Sequence, residues 1–218
     1  MATYSTEKGS TIQSLASDPS NPIQGQVWYN TTSYALKGYA QAGTGAWASG
    51  NNINSARYYS GAGGTQTAAI LVGGLPAPAR GTETYDGTSW TEITDPDTPR
   101  SSAGGCGTST SLLYAGGMPP SVTLTEEWNG TAWTEVADLL TARGLAATFG
   151  TVALAIVAGG SDPFPSTALT ESWNGTSWTE VSNLNTNRAE FPGVGIQTAG
   201  LVFGGRVPTT GKTESYDG

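Results

Sequence analysis

The stretch "TESWNGTSWTEV" (170–181) decides the fold. It holds two short runs of Thr, Ser and Trp separated by Asn-Gly. β-branched and aromatic residues suit a pleated, half-buried strand. Asn-Gly between two such runs is the strongest short hairpin signal, because a type I′ turn needs positive φ at both central residues. The sequence therefore predicts two antiparallel strands, each with one tryptophan. The pattern recurs as "TETYDGTSWTEI" (82–93) and "TEEWNGTAWTEV" (125–136), and its first half returns as "TESYDG" (213–218).

Working outward, other markers keep the same step. Glycine pairs at Gly73-Gly74, Gly116-Gly117, Gly159-Gly160 and Gly204-Gly205 are spaced by 43, 43 and 45 residues. Arg57, Arg100, Arg143 and Arg188 step by 43, 43 and 45, and Trp90, Trp133 and Trp178 by 43 and 45. Self-similarity at a fixed period marks a repeat architecture. Each repeat reads as four strands. The first follows the arginine and is rich in small residues, as in "RSSAGGCG" (100–107). The second is a continuous apolar run ending in the glycine pair, as in "ALAIVAGG" (153–160), which suits a strand covered on both faces. The third and fourth are the hairpin. Four-stranded units of this length suit propeller blades, with small residues at the crowded centre and aromatics outside. The expected fold class is all-β, a propeller over residues 46–218 with blades near 54–96, 97–139, 140–184 and 185–218.

The composition agrees. Charged residues are 12% of the chain and the net charge is −8. No basic run exists to neutralise phosphates, so nucleic acid is not an expected partner. There is no histidine, which removes the commonest general base and metal ligand. No cofactor is expected. The longest apolar run, 152–158, is far too short to span a bilayer, and "MATYSTEKGS" (1–10) lacks the pattern of a Sec-type signal. The sequence thus predicts a soluble protein made without classical secretion.

The apolar run before each Gly-Gly and the later aromatic–Trp pair resemble the kelch, or galactose-oxidase-like, propeller family. The resemblance covers 46–218. Residues 1–45 do not repeat. There, "QVWYN" (26–30) and "YALKGYA" (34–40) read as two strands joined by "TTS" (31–33), with Trp47 opening a third. "GQVWYNTT" (25–32) resembles segments of structural and tail-fibre proteins of tailed bacteriophages, and the Trp-Asn-Gly-Thr-x-Trp-Thr-Glu repeats resemble kelch-like phage virion proteins. Together these resemblances imply a non-enzymatic virion protein, assembled in the host cytoplasm. Its N-terminal region would contact other virion proteins, and its propeller would contact a host surface glycan or protein, with oligomers in the particle. The alternatives are a glycan-active propeller hydrolase and a cellular kelch interaction scaffold.

Individual residues carry further expectations. Cys106 stands where other repeats have Gly63, Phe149 and Val194, so it reads as a packed, inert thiol. Galactose oxidase's copper chemistry does not transfer, because histidine is missing. Asn30, Asn129 and Asn174 begin Asn-x-Thr sequons, and the last two read as turn residues. Glu83, Glu126, Glu171 and Glu214 recur in the third strand, in register with the arginines. The pairs read as strand-positioning ion pairs; the functional alternative is a ring of Arg57, Arg100, Arg143 and Arg188 facing an acidic ligand at the channel mouth. The segments between second and third strands vary while the frame holds, and recognition commonly sits on such loops. A hydrolase needs two facing carboxylates. Asp95, Asp97 and Asp162 are the candidates, but aligning Asp95 and Asp97 with Ala137 and Leu139 argues against a symmetric site.

The final "KTESYDG" (212–218) reads as a third strand stopping in its turn. Either the chain continues into further repeats, or the segment "AWASG" (46–50), with Trp47 ten residues before Arg57, closes the last blade.

Overall fold

The computed structural model describes residues 12–21, 26–38, 47–76, 81–161, 165–206 and 208–218. The chain divides into two compact units, Met1–Ser49 and Gly50–Gly218. All regular structure among the described residues is β-strand, and no helix there is long and apolar enough to cross a membrane.

The N-terminal unit is a three-stranded sheet of β1 (Gln13–Leu15), β2 (Val27–Asn30) and β3 (Ala35–Gly38). The β2–β3 hairpin has the expected strands, paired antiparallel from Val27↔Gly38 to Asn30↔Ala35. β1, which pairs parallel to β2, was not foreseen. Trp47 opens no strand and is fully exposed. One carboxylate organises this small sheet. Asp18 Oδ1 accepts hydrogen bonds from Trp28 Nε1 (3.0 Å) and Asn30 Nδ2 (2.7 Å), and Oδ2 pairs with Lys37 Nζ (2.7 Å). These three donors hold the carboxyl down to a pKa of about 2.

The second unit is a series of four blade-like antiparallel sheets, compatible with a β-propeller. The first holds β4 (Gly61–Thr65), β5 (Ala68–Val72), β6 (Thr82–Tyr85) and β7 (Trp90–Ile93). The second holds β8 (Gly104–Thr108), β9 (Ser111–Ala115), β10 (Thr125–Trp128) and β11 (Trp133–Glu135). The third holds β12 (Ala147–Gly150), β13 (Ala155–Ala158), β14 (Thr170–Trp173) and β15 (Trp178–Val181). The fourth has three strands, β16 (Gly193–Ile196), β17 (Ala199–Phe203) and β18 (Thr213–Tyr216). Strand order follows chain order in each. Residues 47–50 form no strand, and among the described residues the fourth sheet has three.

The small residues of the first strands explain how the sheets approach. β4 lies against β8, β8 against β12 and β12 against β16, and no comparable contact joins β4 to β16. A Cβ added at Gly105 would stand 2.9 Å from the backbone N and O of Ala62 in the neighbouring first strand. Only glycine permits that spacing. The Gly-Gly pairs have a different reason: all eight of these glycines hold positive φ, between 63° and 125°. L-residues with a Cβ rarely adopt that conformation, so the pair turns the chain sharply after each second strand.

Between sheets lie three apolar clusters. The middle one gathers Leu113, Ala115, Val157, Trp173 and Trp178 around the seam of the second and third sheets. β13 is buried along its whole length, as the continuous apolar run predicts. β17, in the last sheet, alternates exposed and buried. The paired aromatics meet across the hairpins, Trp128 with Trp133 (ring centroids 5.5 Å) and Trp173 with Trp178 (5.3 Å).

The hairpin turns depart from the expected type. Four residues, 86–89, join β6 to β7, and only the glycine has positive φ (Gly87, 93°). Asp86, Asn129 and Asn174 instead keep ordinary φ and close the turn with their side chains. Asn129 Oδ1 accepts the N–H groups of Thr131 and Ala132, both at 2.9 Å. Such local side-chain bonds offer the backbone an alternative to the type I′ geometry.

Candidate functional site

Three of the four arginines are buried and Arg57 is half-buried. Arg100, Arg143 and Arg188 are at most 1% exposed. Each is ion-paired to the glutamate expected from register: Arg57 with Glu83, Arg100 with Glu126, Arg143 with Glu171 and Arg188 with Glu214. Each guanidinium also donates to the carbonyl of the first glycine of its own pair, for example Arg100 Nε to Gly116 O (2.8 Å) and Arg188 Nη1 to Gly204 O (3.1 Å). Each glutamate in turn accepts a backbone N–H from the connection entering its repeat: Asn54 (2.7 Å), Asp97 (2.9 Å), Leu140 (2.7 Å) and Asn185 (2.6 Å). The pair therefore ties three segments of a repeat together. Burial pulls the pKa of Arg143 down, with Glu171 opposing it. Most of their donors meet glutamate and carbonyl oxygens inside the sheet, which favours the strand-positioning reading over the channel-mouth ring, while Nε of Arg57 and of Arg188 meets no partner among the described residues.

The residues that line an open concavity stand two positions further along. Tyr59, Ser102, Leu145 and Glu190 all adopt a left-handed backbone, with φ of 57°, 57°, 58° and 54°. Their backbones form a chain from repeat to repeat. Ser102 N–H donates to Tyr59 O (2.7 Å), Leu145 N–H to Ser102 O (2.8 Å) and Glu190 N–H to Leu145 O (2.9 Å). The four residues rim a concavity of about 380 Å³ whose walls include Ala146, Phe191 and Pro192. A non-glycine residue at positive φ costs on the order of 1–3 kcal/mol, and such strain gathers at functional sites. Here the inter-repeat bonds hold it in place.

The rim is chemically mixed. Tyr58 and Tyr59 are exposed and meet edge to face, ring centroids 5.2 Å apart. Glu190 pairs with Arg206 at 2.7 Å, which raises the arginine pKa. Leu145 adds an apolar element and Ser102 a hydroxyl. The connections between second and third strands lie at the same end, as expected: Leu139 N–H donates to Thr123 O (2.9 Å) and Leu184 N–H to Ala168 O (3.0 Å). Residues 77–80, 162–164 and 207 of these connections lie outside the described residues.

The carboxylate candidates fall apart as a pair. Asp95 Oδ1 accepts the Thr82 N–H at 2.8 Å. Asp138 does the same for Thr125 (3.1 Å) and Asn183 for Thr170 (2.9 Å). Asp95 therefore aligns with Asp138, not Ala137, and its repeated task is to cap the third strand. Asp97 shares its position with Leu140, since both donate backbone N–H to a buried glutamate. Asp162 lies outside the described residues. Cys106 is buried, and burial pushes its thiol up to about 12, so it stays protonated at neutral pH. The sequon residues Asn129 and Asn174 serve their turns, and Asn30 is held by Asp18 while its own Oδ1 accepts the N–H groups of Thr32 and Ser33. Among the described residues no three His, Cys, Asp or Glu side chains cluster in a way that would hold a metal ion.

No protein-family model matches the sequence, and no curated protein matches it.

Proposed function

We propose that this chain is a non-enzymatic structural protein of a tailed-phage virion, with a kelch-like propeller that contacts the host surface through the concavity rimmed by Tyr59, Ser102, Leu145 and Glu190. The observation that carries the contact is that rim. A constant frame of Arg–Glu pairs presents four unlike side chains at one register, and a rigid scaffold with variable presented groups is the design of a recognition surface. The pair of tyrosines beside a carboxylate–guanidinium pair suits a sugar ring: apolar ring faces for its C–H groups, charged hydrogen-bonding groups for its hydroxyls. The net charge of −8 disfavours a polyanionic ligand. The virion part rests on the N-terminal "GQVWYNTT" (25–32) and on the near-identity of the repeats. The reading carries no catalytic step, and the task of Asp95 as a strand cap takes away the hydrolase's first candidate.

The test is binding of the purified chain to host cells and to a glycan array, beside Tyr59→Ala and Glu190→Ala variants. Saturable binding lost in both variants supports adhesion. Binding by neither surface removes the adhesive role and leaves decoration. Absence of the chain from purified particles overturns the virion assignment.

A further inference from the structure

The turns between third and fourth strands make two demands that together create a reactive dipeptide. The second position must be glycine, because Gly87, Gly130 and Gly175 hold φ of 93°, 92° and 88°. The first must be a short acceptor. Asn129 Oδ1 takes the N–H groups of Thr131 and Ala132, and Asn174 Oδ1 those of Thr176 and Ser177, all at 2.9 Å. Where that acceptor is asparagine, the carboxamide folds back over the N–H of the glycine that follows it. Both Asn-Gly pairs are exposed. Among the described residues nothing bonds the N–H of Gly130 or Gly175, or the Nδ2 of either asparagine. The two N–H groups on Oδ1 stand where negative charge develops when a nucleophile adds to Cγ, the arrangement of an oxyanion hole. In the first sheet the same position is already an acid. Asp86 Oδ1 accepts the N–H groups of Ser89 (2.7 Å) and Thr88 (2.8 Å), and these bonds hold its pKa below the ordinary value. The turn therefore holds a carboxylate at least as well as an amide.

We propose that Asn129 and Asn174 are self-modification sites, which their own turns convert to ordinary α-aspartate, the residue that the first sheet already carries at position 86. The backbone nitrogen of the following glycine gives up its proton to hydroxide and bonds to Cγ, with Oδ1 carrying the charge. Nδ2 takes a proton from water and leaves as ammonia, which closes a cyclic imide. Water then opens the imide. Breaking the N–Cγ bond restores the native backbone, with a carboxylate that takes over both cap bonds. Breaking the bond to the main-chain carbonyl instead runs the chain through Cβ. That adds a methylene to a turn whose ends are fixed by the pairing of Trp128 with Trp133 and of Trp173 with Trp178. The fold therefore favours the α product. The net change is water in and ammonia out, with one negative charge gained per site. Asn30 is the built-in contrast. Its Oδ1 accepts two N–H groups in the same way, from Thr32 (3.0 Å) and Ser33 (2.9 Å). However, it is buried, Thr31 follows it, and its Nδ2 is held by Asp18. The chemistry is independent of what the concavity binds.

The experiment incubates the full 218-residue chain, folded, in mildly alkaline buffer and follows each asparagine by peptide mapping, with fragmentation that separates aspartate from isoaspartate. Conversion is expected at Asn129 and Asn174. Asn30 is expected to react roughly tenfold more slowly or less, because the Cβ of Thr31 crowds the attacking nitrogen that glycine leaves open. α-Aspartate is expected to dominate in the folded chain, and isoaspartate in the same chain unfolded in urea. Asp86→Asn supplies a gain of reaction: position 86 is expected to return to aspartate at a rate comparable to that of Asn174. That variant copies the residue of two other turns, so misfolding cannot mimic the result. Asn129→Asp combined with Asn174→Asp is expected to leave the urea midpoint unchanged. Asparagines 129 and 174 that last as long as Asn30 overturn the proposal, as does an equal isoaspartate share in the folded and unfolded chains. A position 86 that keeps its amide, or a lower midpoint in the double variant, overturns it too.

Discussion

Arg143 and Leu145 are two residues apart in one repeat and do opposite jobs. Arg143 is buried, repeated identically in every sheet, and bonded to Glu171 and to the carbonyls of Gly159 (3.3 Å) and Leu169 (2.7 Å). Leu145 is half-buried at the rim of the concavity, unlike each of its counterparts, and held at a φ of 58°. The frame residue fixes identity because several buried polar groups depend on it. The rim residue fixes only backbone shape, so its side chain is free to vary. The comparison teaches where recognition can reside in such a repeat: beside the invariant residue, not on it.

The largest effect should come from breaking the frame. Arg143→Met leaves the Glu171 carboxylate buried without its partner and should cost about 3–5 kcal/mol, read from the urea midpoint. Replacing a whole buried ion pair by apolar residues is often neutral. Here it should not be. Arg143→Met with Glu171→Leu strands the N–H groups of Leu140 and Thr141, which the pair now serves, and leaves the Leu169 carbonyl with the Gly159 N–H alone. An orphaned buried group costs roughly 1–3 kcal/mol and less where water reaches it, as it does beside the exposed Leu140, so the double variant should remain about 1 kcal/mol below the parent. Full recovery would mean that the pair only cancels its own charges and does not tie the repeat.

A smaller effect should mark the rim. Leu145→Val places a β-branched side chain at positive φ and should cost about 1–3 kcal/mol. Leu145→Gly relieves the strain but loosens the unfolded chain, so its stability should stay within about 0.5 kcal/mol of the parent. If valine and glycine behave alike in denaturant titrations, the left-handed backbone is not what constrains this position.

Much of this frame was legible in the sequence. The 43- and 45-residue steps, the glycine pairs and the tryptophans place sixteen strand segments, and fifteen form in the second unit. The Arg–Glu pairs follow from shared register. The turns were misjudged because Asn-Gly reads as type I′ until the Asn side chain is seen to cap two N–H groups. The 43-residue step carries Asp95 onto Asp138, not Ala137, and the strand-capping N–H bonds agree. The rim stayed hidden for another reason. Tyr, Ser, Leu and Glu share no residue type that announces a left-handed backbone. One signal was there: four unlike residues at a fixed distance from an invariant arginine. β1 was missed because "QSL" (13–15) is too short to show a period.

The smallest predicted effect lies in the N-terminal unit, where a single exposed carboxylate does what buried pairs do elsewhere. Asp18 titrates at about 2 against an ordinary 3.8, because Lys37, Asn30 and Trp28 all donate to its charged form. A depressed acid stabilises the fold above its unfolded value and loses that contribution as pH falls through its folded one. The window is therefore pH 3.8 down to about 2. The indole N–H of Trp28 donates to Oδ1, so in the folded protein its NMR resonance should titrate with a midpoint near pH 2. In Asp18→Asn the same resonance should stay flat, since the amide oxygen still accepts but no longer titrates. Stability at neutral pH should change little, because solvent screens the ion pair with Lys37. A parent resonance that moves only near pH 4 would show that the three donors do not act together on this carboxylate, and the likeness to the buried arginine frame would fail.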